Sequence, residues 1–298
     1  MNRARIRGID HFGLTIGSLD QAIHDLTNAL GGELCYLEGP ITDREPGWMA
    51  AKLGARGTCT LRVAAMNVLG TNLELFEYAG AERRSWDAPP GAAGSFFLIF
   101  QTPTPERIFS RLYNENAIVR PLDQPARGFE VVLPSGIHLA VHHAAEQRLI
   151  GAVALNRHDF SAAQRELTST LGFSEAEPLT AFGATGVVLC GDQGLPLAVL
   201  HGHSPALRPA NSDLGGHHVA FHADDVDASI ESLRNVRGYS SRGEPETITD
   251  GPIAGDRWVY LDSPFGLQLE IINMPDGALP YEKDAAARRT AIAIGAFV

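Results

Sequence analysis

The chain has 298 residues, a length that suits one large or two ordinary domains, and 44% are hydrophobic, enough to bury a sizeable core. Only 20% are charged and no long run of one sign occurs, which excludes a disordered chain. The net charge of −11 argues against nucleic acid or an anionic membrane as a partner, although it selects no small-molecule substrate. Cys35, Cys59 and Cys190 are odd in number and form no CxxC pair, as expected of reduced, buried thiols in a cytoplasmic protein. The start MNRARIRGIDHFG has basic residues but no apolar run behind them, unlike a signal peptide, and no stretch is long and apolar enough to span a bilayer.

Taken in chain order, four segments repeat one plan: an apolar strand, a helix, then further strands. The first opens with IDHFGLTI. Ser18 is read as a helix N-cap with Gln21 completing a capping box; Ala22, Ile23, Leu26 and Leu30 recur at helical spacing, and Gly31-Gly32 ends the helix. This segment closes on the alternating TNLELFEY. The second opens with SFFLIF, starts its helix at Thr104-Pro105 and closes on GIHLAVHH. The third opens with GAVALN, is expected to cap its helix with Ser161 and Gln164, stops near Gly172 and closes on LPLAVLH. The fourth opens with HHVAFHADD, caps a helix with Asp224 or Asp225 and closes on GLQLEIIN. A βαβββ unit of this length cannot close its own sheet, whereas two can curve around a shared cavity. The expected fold is therefore α+β, with four such modules in two pairs.

Equivalent positions in the four copies differ in one telling way. The opening strands carry His11, Phe96, Ala152 and His218; the closing strands carry Glu74, Ala140, Ala198 and Glu270. Copies one and four thus have His then Glu, while copies two and three are apolar throughout. Residues on one face of a curved sheet point into its cavity. Two imidazoles and two carboxylates there suit one divalent ion, Fe, Zn, Mn, Co or Ni. A lone His or Glu on a strand would mean little; their joint occurrence in two copies and joint absence from the other two makes His11, Glu74, His218 and Glu270 the candidate metal ligands.

At these residues the sequence resembles the vicinal oxygen chelate superfamily, which includes glyoxalase I, methylmalonyl-CoA epimerase, bleomycin-resistance proteins and extradiol dioxygenases. The stretches IDHFGLTIGSLDQAIHDLTNALGGEL, NLELFEY, GGHHVAFHADDVDASIESL and DSPFGLQLEII carry the resemblance over residues 9–80 and 211–274. Segment 1–84 joined to 208–275 is similar to one complete two-module protein, which makes 1–84 plus 208–298 the expected metal-binding pair and 85–207 an inserted, degenerate module pair. The ligand distribution likewise favours pairing modules one and four, and two and three.

The resemblance implies an ion that chelates substrate oxygens and stabilises an oxyanion or enolate, with Glu270 or Glu74 leaving the metal to act as base. Three functions follow: a metal-dependent isomerase or lyase; an iron(II) ring-cleaving dioxygenase of hydroquinone or catechol type, whose two-His, one-Glu triad His11, His218 and Glu270 would match; and a small-molecule binding or drug-resistance protein. Glu74 departs from the triad and favours the first. The inner pair is open to reading as a scaffold, a homodimer surface or a lost site. Trp48, Met49 and Trp258 are candidates for a pocket or for core, and 249–258 for a loop over the cavity mouth. His222 falls on the same strand face as His218; His138, His142, His143, His201 and His203 cluster along the inner closing strands; and the tail at AAARR is expected to be helical.

Overall fold

The computed structural model describes residues 6–80, 89–114, 118–121, 127–203, 208–274 and 279–292. Module one comprises β1 (Ile6–Thr15), α1 (Leu19–Leu30), β2 (Glu33–Thr42), a short α2 (Trp48–Leu53), β3 (Cys59–Val68) and β4 (Thr71–Gly80). Module two follows with β5 (Phe96–Thr102), α3 (Pro105–Asn114), β6 (Ile118–Pro121), β7 (Gly128–Val132) and β8 (His138–His143). Module three contains β9 (Arg148–Leu155), α4 (Arg157–Ser169), β10 (Ser174–Ala181), β11 (Ala184–Cys190), β12 (Gln193–Gly194) and β13 (Leu197–His201). Module four has β14 (His217–Ala223), α5 (Val226–Arg234), β15 (Ser240–Ser241), β16 (Glu246–Thr247), β17 (Arg257–Asp262) and β18 (Gln268–Asn273).

The helix ends follow local hydrogen-bond chemistry. Ser18 accepts from the Gln21 N–H as expected, but the Gln21 side chain donates to Asp25 at 2.8 Å instead of closing the box. Asp225 caps α5 through the Ala228 N–H. The cap of α4 is Asn156, which accepts from the Asp159 N–H at 3.0 Å, and not Ser161, whose hydroxyl donates back to the Arg157 carbonyl inside the helix. Ser161 and Gln164 have capping-box spacing but lie inside the helix, so that motif places the start too late.

Two mixed sheets result. The first is ten-stranded, in the order β15-β17-β18-β14-β1-β4-β3-β2, with β12 added beside β1 and β16 beside β17. The second is eight-stranded, in the order β10-β11-β13-β9-β5-β8-β7-β6. Apart from β12, which module three lends to the first sheet, strands of modules one and four share one sheet, joined through antiparallel β1 and β14, and those of modules two and three share the other, joined through β5 and β9. The boundaries expected near 84/85 and 207/208 adjoin or fall in 81–88 and 204–207, outside the described residues.

One hydrophobic core lies between the two sheets and the helices, taking Phe12, Leu73 and Phe221 from one sheet and Leu98, Phe129 and Val153 from the other. The Phe12 and Phe96 rings meet at 5.6 Å. Gly151 makes this approach possible, because a Cβ there would stand 2.6 Å from Cζ of Phe12. Asp25 of α1 also accepts from the Ser135 N–H at 2.8 Å, tying the first module to the second. The opposite, concave face of each sheet forms a separate apolar cluster.

The registers correct two sequence equivalences. In the first sheet His11 pairs Ala220 and Gly13 pairs His218; in the second Phe97 pairs Ala152 and Ile99 pairs Ile150. Glu74 lies beside Gly13 and Ala140 beside Ile99, while Glu270 lies beside Ala220 and Ala198 beside Ala152. The counterparts of His11 and His218 are thus Phe97 and Ile150, not Phe96 and Ala152. Phe96 faces the opposite side, in the shared core. A slip of one residue exchanges the faces of a strand, and runs as uniformly apolar as SFFLIF and GAVAL carry no alternation to prevent it.

The C-terminal segment also departs from expectation. After a 3₁₀ turn at Pro280–Lys283, residues 284–292 are not helical; they run as an irregular strap held against module one. Asn72 accepts from the Thr290 N–H at 2.8 Å and donates to its carbonyl at 2.9 Å, and Asn67 donates to the Arg288 carbonyl at 2.9 Å.

Candidate metal centre

The sheet register assembles the site. One rung across β4, β1 and β14 reads Glu74, Gly13, His218; a neighbouring rung across β1, β14 and β18 reads His11, Ala220, Glu270. Each His and Glu of a rung is separated by a very small residue, and the two rungs run in opposite senses. The four candidate side chains consequently converge beside Gly13 and Ala220. A Cβ on Gly13 would lie 1.8 Å from Cε1 of His218, so the imidazole occupies the room that this glycine leaves.

His11, His218 and Glu270 are buried and bring ligand atoms within 4.8 Å of one another. The two Nε2 atoms are 3.4 Å apart, and Oε2 of Glu270 lies 3.1 Å from the first and 3.4 Å from the second. Glu74 is close but stands outside this trio. Its Oε2 is 3.4 Å from Nε2 of His11, while its Oε1 accepts from the Tyr36 hydroxyl at 2.8 Å. The Tyr260 hydroxyl stands 3.3 Å from Nε2 of His218.

The donor set fits a divalent ion. Two neutral imidazoles and two carboxylates would balance a charge of two, and borderline N/O donors suit the first-row metals. Charge balance in the protein alone points the same way. Burial would lower the His11 pKa, but Glu74, Asp10 and Glu270 outweigh it and push it up to about 10. Burial would raise Glu270, yet the two imidazoles hold it down at about 2. The cluster therefore favours positive charge at its centre, as a proton or a metal ion would supply.

Asp10 backs this arrangement. A β-bulge opposite β14 between Ile9 and His11 makes Asp10 an extra residue in β1. Ile9 and Phe12 both face the shared core, so the bulge turns the two consecutive side chains between them to the concave face. Asp10 Oδ1 lies 3.0 Å from Nδ1 of His11, and the Arg289 guanidinium of the C-terminal strap donates to the same oxygen. Burial would raise Asp10, but Arg289 and His11 hold it well below the usual carboxylate range.

Above the centre opens a cavity of about 300 Å³, with Glu74 and Glu270 on its floor. Trp48 and Trp258 form part of its wall, in a T-shaped contact at 6.2 Å, and Asp250 and Ile253 also line it; the segment read as a loop over 249–258 gives way to β17 at Arg257. Met49 is instead fully buried, its sulfur 3.5 Å from that of Cys59. His222 shares the face of His218 but turns to the Met274 carbonyl at 3.1 Å. The inner histidines form no metal-like group among the described residues. Sequence reasoning missed Asp10, Arg289, Tyr36 and Tyr260. The Asp-His dipeptide was a usable signal for Asp10; Arg289, 278 residues from His11, offered none.

No family model matches the chain. A solved glyoxalase I from Zea mays aligns with a TM-score of 0.62 at 13% identity, covering 89% of this chain and 92% of that one. A proposed dioxygenase from Bacillus subtilis aligns with a TM-score of 0.61 at 16% identity, covering 92% and 87%. The fold is that of the vicinal oxygen chelate superfamily. A 2-epi-5-epi-valiolone epimerase from an Actinomyces species is 60% identical over 80 residues, 27% of this chain and 43% of that protein. The match thus spans less than half the length of that curated relative. Within the vicinal oxygen chelate fold, the second sheet carries the same rungs with Phe97, Ala140, Ile150 and Ala198, all buried, where the first has its four polar residues. No helix among the described residues is long and apolar enough to cross a membrane.

Proposed function

We propose that this chain is a metal-dependent epimerase that inverts a carbon next to the carbonyl of a small hydroxylated ketone, the class named by its Actinomyces relative. The observation that carries the reading is the pair of carboxylates, Glu74 and Glu270, facing one cavity from related strands above two buried imidazoles. In this reading residues 1–84 and 208–298 form the working pair, and 85–207 an inserted pair without ligands. A divalent ion held by His11, His218 and Glu270, with Glu74 completing the set, would supply Lewis-acid stabilisation to substrate oxygens. Epimerisation also needs a proton removed from one face of a carbon and returned to the other. Glu74 is the better base, because it stands outside the trio and Tyr36 orients it; Glu270 reaches the same cavity from the opposite half. Trp48 and Trp258 exclude water from the substrate's apolar face.

The test is solvent deuterium exchange into 2-epi-5-epi-valiolone, run beside metal analysis. Glu74→Gln should slow exchange by at least about 100-fold, within the range general-base catalysis supplies, while keeping bound metal; His218→Ala should lose the metal. Undiminished exchange in Glu74→Gln, or wild-type protein without stoichiometric metal, would sink the proposal.

A second reading rests on the trio itself. Two His and one Glu is the composition of the facial triad that holds iron(II) in oxygenases. Oxygen uptake with a hydroquinone by the ferrous protein, unchanged in Glu74→Gln, would favour ring cleavage over epimerisation.

A further inference from the structure

The buried Arg289 belongs to no part of the chemistry above, and its surroundings are unusual. It reaches the back of the site from the strap, its side chain only 5% exposed and its partner Asp10 only 4%. One guanidinium nitrogen donates to Asp10 Oδ1 and stands 3.2 Å from Nδ1 of His11. Asp10, His11 and Arg289 therefore converge on one carboxylate oxygen. The strap is anchored on both sides of this point. The Arg289 N–H donates to the Tyr281 hydroxyl at 3.1 Å, and the Tyr281 N–H donates to the Pro252 carbonyl at 3.0 Å. Asn72, which clamps Thr290, also donates to the Asp10 carbonyl at 3.1 Å. The bulge, the clamp and the strap thus fix Asp10 at its main chain and its side chain.

We infer that Arg289 is a positioning residue: through Asp10 it holds the His11 imidazole with Nδ1–H toward the carboxylate and the Nε2 lone pair toward Glu270 and His218. This inference rests on the metal-binding reading. An imidazole has two possible tautomers, and only one presents Nε2 as a ligand; a carboxylate on Nδ1 selects it and fixes the ring plane. Asp10 alone would add a third negative charge beside Glu74 and Glu270. Arg289 cancels that charge, so that the donor set still balances a divalent ion, and its N–H to Oδ1 holds the carboxylate in place. Only module one has such a support among the described residues. Nδ1 of His218 is buried without a hydrogen-bond partner, so the two imidazoles are unequally held.

The experiment uses zinc as the probe with full-length protein. Zinc affinity is measured by chelator competition, and nitrogen NMR of histidine-labelled, zinc-loaded protein reads the His11 tautomer. Wild type should show Nδ1 of His11 protonated. Arg289→Ala and Asp10→Asn should each weaken zinc by about 10- to 100-fold, the usual penalty for losing a support behind a ligand. Should Arg289→Ala fail to fold, the double variant Asp10→Asn/Arg289→Gln removes both charges together and should weaken zinc as much. Thr290→Val removes only the hydroxyl that accepts from Asn67, leaves the main-chain clamp to Asn72 in place, and should change affinity less than about twofold. Wild-type affinity in the folded Arg289 variants would overturn the inference, as would an equal loss in Thr290→Val, which would make the strap merely structural. A wild type that binds no zinc or other divalent metal would remove the metal reading itself, a separate result.

Discussion

Among single residues, the smallest one in the site has a sharply defined task. Gly13 leaves the space that the His218 ring fills. Gly13→Ala should displace that ring and lower metal affinity at least tenfold, while the overpacking itself costs about 1–3 kcal/mol; chelator competition and denaturant unfolding separate the two effects. Asp256 makes a different prediction. It is fully buried and neither carboxylate oxygen has a hydrogen-bond partner. Burial, helped by Glu74, Asp10 and Glu270 against Arg289, pushes its pKa up to about 8 from 3.8. Below the lower value both folded and unfolded states hold the proton. As pH rises toward the higher one only the unfolded state ionises, so stability falls by up to about 1.4 kcal/mol per unit. In metal-free protein, Asp256→Asn should flatten the stability profile between pH 4 and 8, measured by urea unfolding. An unchanged slope would mean that the carboxyl is ionised and paired in solution. That His11, Glu74, His218 and Glu270 come together was legible in the sequence because copies could be compared. Asp256 and Arg289 have no counterpart in another copy that marks them, so no comparison could single them out.

The secondary-structure elements show where pattern reading works and where it fails. Helices with a Ser or Asp immediately before their apolar stripe, α1 and α5, began where expected. For α4 the cap lies at Asn156, one polar residue ahead of a polar first turn, and apolar spacing had nothing to register there. Asn156→Ala should destabilise the protein by about 1 kcal/mol, whereas Ser161→Ala should be near neutral; thermal unfolding of the pair decides between the two starts. Strands were found readily, but faces were not always right. Alternation is informative in TNLELFEY, where the second Glu is less buried than the first. It is silent in strands buried on both faces, and it is misleading at a bulge, which turns Asp10 and His11 to one side. The bulge is therefore the reason the support behind His11 escaped notice although its residue adjoins the ligand.

The molecule as a whole was the most legible scale, since four copies of one unit specify two paired sheets almost by themselves. What repeats could not convey is how far the pairs share an interior. Phe12 against Gly151 and Phe96, β12 beside β1, and Asp25 bound to Ser135 merge the two pairs into one core. Heating should accordingly give one cooperative calorimetric transition whose calorimetric and van't Hoff enthalpies agree, and two resolved peaks would contradict the shared core.

The position of the ligands along the chain has a temporal side. His11 and His218 are separated by 207 residues, and Glu270 and Arg289 follow later still. On the ribosome, His11 and Glu74 emerge first and must wait, beside an intervening pair that can already build its own sheet, until the last module arrives. A chain stopped before His217 would contain half of the proposed site, His11 and Glu74, and an edge of β1 that β14 does not yet cover. The proposed centre would then fill only in nearly finished molecules, and metal uptake by it would mark complete synthesis.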